Sequence, residues 1–187
     1  MPSPAAHRPI LPLACLLACL LALAPARAPR GAETAGEVPV GAPLRDAALQ
    51  GLNGPSRRLA EFRGKPLLIN VWASWCGPCK QETASLERLA WLDAARGFNI
   101  IGISTDDDPQ RARAWLADSG ATISQYIDTG LTLEHMLGAT HLPLTVLVGA
   151  DGRVLDKIYG AREWDGPAAR ELLRAAWARD RARSARP

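Results

Sequence analysis

The sequence predicts an α/β protein in which a mixed central sheet lies between layers of helices. Two apolar runs, 67–73 and 98–104, have the length and side chains of buried strands, and segments with helical spacing follow them. Two later strands, 144–148 and 154–159, flank Asp151-Gly152, a strong signal for a hairpin turn. Strand-helix alternation followed by a hairpin predicts parallel and antiparallel pairing within one sheet.

The other elements follow in chain order from local signals. Residues 42–63 are predicted to form an irregular lead-in with a turn at Asn53-Gly54-Pro55. Helices are predicted over 78–95 and 109–119, and the acidic run 106–108 favours the start of the second. The remaining predicted elements are a short strand at 124–127, a helix at 129–137 and a closing helix at 166–182.

Residues 1–28 have the pattern of a signal peptide. Arg8 precedes an uncharged run from Ile10 to Ala24, and Ala26-Arg27-Ala28 is a small-x-small cleavage pattern. That run of 15 residues is shorter than the roughly 20 that a membrane-spanning helix needs. We therefore expect an exported protein with a cleaved leader, in the periplasm or on the outer face of the inner membrane; an uncleaved anchor is the alternative.

Beyond the leader, the sequence predicts a linker at 29–40, one domain at 41–180 and a basic tail at 181–187. About 159 residues remain, which suffices for a full core without disulfide staples. Without Arg8 and Arg27, the chain has 20 lysines and arginines against 19 acidic residues. This near-equal number of basic and acidic residues does not indicate a basic surface for nucleic acid. Separately, we expect the protein to be a monomer.

The segment at 67–81, LLINVWASWCGPCKQ, carries the clearest chemistry in the chain. It is predicted to be a strand that leads into a helix whose first turn holds Cys76 and Cys79. A thiol at a helix N-terminus is stabilised as the thiolate by the positive end of the peptide dipoles, so Cys76 is the candidate nucleophile. Cys79, one turn further on, is placed to form a disulfide with Cys76 and release a bound substrate.

Glu82 is the third candidate catalytic residue. It follows Cys79 by three residues and precedes Leu86 by four, so the three side chains share one helix face. With Leu86 and Trp72 nearby, burial would raise the pKa of this carboxyl and let it exchange a proton with Cys79. The alternative is an exposed acid near a helix start, favoured by the dipole.

Two segments of the chain resemble the thioredoxin superfamily. WCGPCK at 75–80 is similar to its active-site motif, and LPLT at 142–145 is similar to its cis-proline segment. Further residues at 64–66 and 70–75, together with Glu82, resemble the exported TlpA, ResA and CcmG branch of thiol-disulfide oxidoreductases. The resemblance covers residues 38–180 and implies a thioredoxin-like three-layer sandwich.

The resemblance also implies a substrate groove. If the bond before Pro143 is cis, the Leu142 main chain can pair with an extended substrate strand beside Cys76. The residues assigned to substrate binding are Trp75, Gly77, Pro78, Leu142 and Pro143.

At three positions the chain departs from the residues usual in its relatives. Asn70 replaces an aspartate of cytoplasmic thioredoxin, Ala84 replaces a proline usual in the branch, and Leu144 replaces an acid usual in the CcmG subgroup. Since Asn70 cannot titrate, we assign proton handling to Glu82.

The branch implies a membrane thiol-electron transporter as donor, and apocytochrome c or a copper-site assembly protein as disulfide substrate. Gly77-Pro78 is the spacer found in thioredoxin, whose potential of about −270 mV is reducing, whereas oxidants of this fold lie near −120 mV. The spacer therefore favours a reductase of protein disulfides, with the Cys76-Cys79 pair as its redox centre and no other cofactor.

Two other functions compete with this one. A copper or zinc carrier would use both thiolates, but a closed zinc site needs two more ligands, and the chain has no second cysteine pair and no H-x-x-x-H motif, with only His135 and His141 left. Copper-carrying relatives usually have three residues between their cysteines, whereas this chain has two. A peroxide reductase of the same fold would require Thr-x-x-Cys, which is absent because Ser74 lies two residues before Cys76. We expect no metal site.

Overall fold

The computed structural model describes residues 36–93 and 97–185. The strands are β1 (Ala48–Gly51), β2 (Arg57–Arg58), β3 (Leu67–Trp72), β4 (Asn99–Ser104), β5 (Ser124–Ile127), β6 (Leu144–Val148) and β7 (Val154–Tyr159). The helices are α1 (Gly77–Asp93), α2 (Pro109–Ser119), α3 (Thr132–Leu137) and α4 (Pro167–Ser184), with a 3₁₀ helix at Leu59–Phe62. The predicted leader lies outside these residues, and within them we find no helix with the length and apolar character to cross a membrane.

The strands form one mixed sheet in the order β2-β1-β5-β4-β3-β6-β7. Strands β3, β4 and β5 run parallel, because α1 and α2 return the chain to the same edge each time. Strand β6 is antiparallel to β3, and β7 pairs with β6 as the predicted hairpin. The predicted α/β class with a mixed sheet is therefore confirmed.

Alternate residues of β3 point into two separate cores. Ile69 and Val71 pack with α3 and the N-terminal lead-in. Leu68 packs on the opposite face with α1 and α4, and Trp72 packs with residues of α2. All six residues of β3 are buried, since helices cover both faces of the sheet in a three-layer arrangement.

The lead-in at 42–63, predicted to be irregular, contains β1, β2 and the 3₁₀ helix. Strand β1 pairs antiparallel with β5, with Gln50 opposite Ile127. The Asn53 side chain contacts the main chain on either side of Ser124, where Nδ2 donates to the Ile123 carbonyl at 2.9 Å and Oδ1 accepts the Gln125 N–H at 2.8 Å. Contacts with residues some 70 positions away thus order a segment whose local sequence has little periodicity.

Helix boundaries differ from the sequence prediction by a few residues. Helix α3 begins at Thr132 rather than at 129, because Leu131 takes a left-handed backbone with φ 54° and interrupts the helical path. The Asp128 carboxylate then accepts the N–H groups of Thr132 at 3.0 Å and Glu134 at 2.8 Å. Helix α4 continues to Ser184, so the first residues of the predicted basic tail are helical.

We expect Gly102→Ala to lower the free energy of unfolding by about 1–2 kcal/mol. A Cβ at Gly102 would lie 1.8 Å from Gln125 Oε1, and this oxygen accepts the Trp72 indole N–H at 2.9 Å. Moving Gln125 aside leaves that buried donor unpaired. Urea unfolding measures the change, with Gly130→Ala as control, since a Cβ there meets its nearest atom at 3.7 Å. Equal stability of the two variants would contradict the prediction.

Candidate active site

Cys76 lies between β3 and α1, immediately before the first helical residue, Gly77. Its Sγ accepts the main-chain N–H of Cys79 at 3.2 Å, and its carbonyl accepts the N–H of Lys80 at 3.2 Å. The sulfur therefore occupies the position of a helix-capping oxygen, beside N–H groups that the helix leaves unpaired. This geometry favours the thiolate form of Cys76 when the pair is reduced.

The two cysteines are joined by a disulfide, with their Cα atoms 5.3 Å apart. Cys76 is 5 % exposed and Cys79 is 1 % exposed. Both cysteines pack in one apolar cluster, which includes Trp72 and Leu116. In this oxidised form the exposed fractions of the two cysteines are therefore similar. Their positions differ more clearly, because only Cys76 caps the N-terminus of α1.

An open cleft of about 510 Å³ adjoins the disulfide. Of the predicted substrate-contacting residues, four line it, and Trp75 is 70 % exposed. The fifth, Pro143, is buried and follows the lining residue Leu142 through a cis peptide bond. The lining residues are Trp75, Cys76, Gly77, Pro78, Thr105, Glu134, Ala139, Thr140, His141 and Leu142.

Unpaired main-chain groups are present at this cleft. Within the described residues, the N–H and C=O groups of Leu142 have no main-chain hydrogen-bond partner. The next carbonyl, that of Pro143, accepts the Gly160 N–H at 2.9 Å and is held in place. A polar main-chain segment beside Cys76 can pair with an extended polypeptide by strand addition.

Glu82 lies on α1 one turn after Cys79 and is only 2 % exposed. Its Oε1 accepts Asn70 Nδ2 at 2.7 Å. Its Oε2 accepts the Trp164 indole N–H at 3.0 Å and the Arg162 main-chain N–H at 3.1 Å. The alternative of an exposed acid is therefore wrong, and the carboxyl has polar partners in place of the apolar surroundings predicted from Leu86 and Trp72.

Burial raises the pKa of Glu82, because removal from water disfavours the charged carboxylate. The hydrogen bonds from Trp164, Asn70 and the Arg162 main chain oppose this shift without cancelling it. Asn70, which cannot titrate, also donates to Thr145 Oγ1 at 3.3 Å. Its amide thus links the carboxyl to β6, the strand that follows Pro143.

Asp106 is a site residue that the sequence analysis assigned only to the start of a helix. It is 1 % exposed, and its two carboxylate oxygens accept the Ser74 N–H at 2.8 Å and the Ser74 hydroxyl at 2.7 Å. The Ser104 hydroxyl donates to it as well, at 2.6 Å. Asp106 thereby fixes the loop two residues before Cys76, while Asp108 caps α2 through the Gln110 N–H.

Trp164 is the other functional residue that sequence reasoning missed. It is fully buried in the loop between β7 and α4. A tryptophan in an otherwise polar stretch, AREWDGP, was the available signal, since a buried indole needs an acceptor for its N–H.

In the described part of the chain, no group of three or more His, Cys, Asp or Glu residues is arranged to hold a metal ion.

The sheet, the helix-capping cysteine and the cleft beside a cis-proline define a thioredoxin-fold thiol-disulfide oxidoreductase. Residues 39–173 match the Redoxin family model, and the chain belongs to that family. It is 34 % identical over 143 residues to the thiol:disulfide interchange protein DsbE of Pseudomonas aeruginosa, covering 72 % of this chain and 77 % of that one. It is 28 % identical to the thiol-disulfide oxidoreductase ResA of Geobacillus thermodenitrificans, covering 66 % and 71 %.

A solved structure gives the same result. A crystal structure from Chlorobium tepidum, described as a candidate DsbE thiol:disulfide interchange protein, superposes with a TM-score of 0.69 at 26 % identity. It covers 75 % of this chain and 99 % of that one. The predicted branch and thioredoxin-like fold are confirmed, and the chain is an enzyme of the DsbE and ResA type.

We expect Glu82→Gln to change how stability depends on pH. Because its pKa is raised, the Glu82 carboxyl stays protonated in the folded protein at pH values where it is already ionised in the unfolded chain. The unfolded reference value is 4.5. The folded state then binds more protons, so the stabilising effect of the protonated acid is present below pH 4.5 and is lost as pH rises through the raised pKa. Glutamine does not titrate and removes this component.

Urea unfolding of the oxidised protein between pH 4 and 8 measures the effect as the wild-type stability minus that of Glu82→Gln. This difference should decrease as pH rises. Gln81→Asn, at an exposed position of α1 beside Glu82, changes no titrating group and is the control that should give a nearly constant difference. A Glu82→Gln difference that increases with pH would show that the pKa is lowered.

In the reduced protein, we expect Cys76 to be alkylated at pH 7 well before Cys79. The Cys79 N–H and the helix terminus stabilise the Cys76 thiolate, whereas Cys79 lies within the first turn of α1 and is only 1 % exposed. A short pulse of iodoacetamide followed by peptide mass mapping resolves the two sites, and the urea-unfolded chain, where both should react alike, is the control. Faster labelling of Cys79 would contradict this assignment.

Proposed function

We propose that this chain is an exported reductase of protein disulfides that acts in cytochrome c maturation or copper-site assembly. The observation that carries the proposal is the position of Cys76, at the N-terminus of α1 and in the wall of an open cleft with unpaired main-chain groups. Such a cleft suits an extended polypeptide better than an enclosed small molecule. The signal pattern at 1–28 supports export to the periplasmic side.

The reaction begins with the reduced protein. The Cys76 thiolate attacks one sulfur of the substrate disulfide, forming a mixed disulfide and releasing the other substrate sulfur as a thiolate that takes up a proton. Cys79 then loses its proton and attacks Cys76 Sγ, which releases the second substrate thiol. Two electrons and two protons pass to the substrate, and the protein ends in the oxidised form described above.

Substrate positioning is assigned to the cleft. The free N–H and C=O of Leu142 pair with the substrate main chain, which aligns its disulfide with Cys76. Trp75, with most of its indole exposed, packs on the docked segment. Gly77 and Pro78 leave the approach to Cys76 unobstructed, since neither carries a long side chain.

Proton handling at Cys79 is assigned to Glu82. The carboxyl lies one helical turn beyond Cys79, and burial raises its pKa. In the Glu82→Gln variant, we expect disulfide exchange to slow about ten- to a hundredfold. An unchanged exchange rate would leave Glu82 with a purely structural role.

Electron flow is proposed to run from a membrane thiol-electron transporter through Cys76 and Cys79 to the substrate. The Gly77-Pro78 spacer supports the reducing direction. The relatives are named for thiol:disulfide interchange and thiol-disulfide oxidoreduction, which is compatible with this role.

Two measurements test the proposal. Equilibration of the cysteine pair against a reference dithiol, followed through Trp75 fluorescence, should give a potential below about −220 mV, and a value near −120 mV would contradict a reductase.

The second measurement traps the substrates. Cys79→Ser, expressed in the native cell envelope, should accumulate mixed disulfides because it cannot release its substrates. Cys76→Ser is the control that should trap none.

The trapped partners then decide the biological role. Apocytochrome c or a copper-site assembly protein joined to Cys76 supports the proposed pathway. If Cys79→Ser captures neither apocytochrome c nor a copper-site assembly protein in cells that make both, the proposed pathway is contradicted.

A further inference from the structure

Glu134 is a carboxyl in the substrate cleft that the reaction above does not use. It lies on α3 and lines the same cleft as Cys76 and Trp75. Its main chain is fixed, since its N–H donates to Asp128 Oδ2 at 2.8 Å and its carbonyl accepts the Gly138 N–H at 2.9 Å. Its side chain is half-buried.

The Glu134 carboxylate has no hydrogen-bond or ion-pair partner among the described residues. Burial raises its pKa; the neighbouring His135 opposes the shift and Asp128 adds to it. A half-buried carboxylate with no donor gains most from a partner that supplies both a positive charge and N–H groups.

The remainder of the cleft suits a cation as well. The ten described residues that line it include no lysine or arginine. Trp75 lines it and is 70 % exposed overall, and the face of an indole attracts ammonium and guanidinium groups. A basic side chain entering the cleft therefore meets a carboxylate and an aromatic face, and no lysine or arginine among the described lining residues competes with it.

We propose that Glu134 is a specificity-determining residue that selects disulfides flanked by lysine or arginine. This rests on the proposed function, in which Cys76 attacks a protein disulfide bound in the cleft. The basic side chain of the substrate pairs with Glu134 and packs on Trp75 while the main chain aligns at Leu142. Acidic segments are disfavoured because they place like charges together in a partly desolvated cleft.

Three synthetic peptides test the inference. Each contains one intramolecular disulfide, and the residue next to the attacked cysteine is Lys, Gln or Glu. We expect the reduced full-length protein to reduce the Lys peptide about three to ten times faster than the Glu peptide. The preference should decrease in 0.5 M salt, which screens charge.

Variants assign the preference to one side chain. Glu134→Gln should bring the ratio of Lys-peptide to Glu-peptide rate constants close to one, and Glu134→Lys should invert it. Asp118→Asn, at an exposed acid of α2 outside the cleft, should keep the wild-type ratio. Both Glu134 main-chain bonds remain available in each variant.

The outcomes separate this inference from the proposed function. One outcome is that all three peptides are reduced and that neither Glu134→Gln nor Glu134→Lys changes the ratio of Lys-peptide to Glu-peptide rate constants. This overturns the role of Glu134 but still supports a disulfide reductase. A uniform loss of rate at an unchanged ratio likewise overturns that role. Failure of the wild-type protein to reduce any of the peptides overturns both.

Discussion

The buried carboxyl of Glu82 is the interaction on which the arrangement around the cysteines depends. Through its hydrogen bonds it joins α1 to Asn70 of β3 and to Trp164 and Arg162 in the loop before α4. Burial of an acid costs free energy, and the raised pKa of Glu82 reflects this cost. The N–H groups of Asn70, Trp164 and Arg162 that bind the carboxyl offset part of that cost. They also hold α1, which follows Cys76 and contains Cys79, in a fixed position against the sheet.

A second buried carboxylate, that of Asp106, fixes the other side of the same loop. It holds Ser74 by main chain and side chain, so the residues between β3 and α1 are restrained from both directions. Reactive loops need such support, because sub-ångström differences in the approach of two sulfurs affect the rate of exchange. The chemistry of the cysteines is local, but their placement depends on Asp106 and on the loop that contains Trp164, which lie far along the chain.

The sequence predicted the elements whose signals are local. The buried strand β3, the cysteine pair at a helix start and the Asp151-Gly152 hairpin all follow from neighbouring residues. Strand β1 and the start of α3 were misjudged, because pairing with β5 and the Asp128 cap decide them. For Glu82 the position was predicted and the partners were not, since Trp164 lies 82 residues away and no periodicity connects the two.

The burial of Val38 connects the N-terminal end of the described chain to the substrate cleft. Val38 is 2 % exposed and its N–H donates to the Met136 carbonyl at 2.9 Å, while Glu37 pairs with Lys157. Residues 37 and 38 thus pack on the folded domain, although the sequence pattern places them in a linker. Because Met136 lies on α3 with Glu134, the first described residues of the chain help to hold the helix that lines the cleft. Removal of the residues before position 40 would therefore alter the cleft wall without removing any residue that lines it.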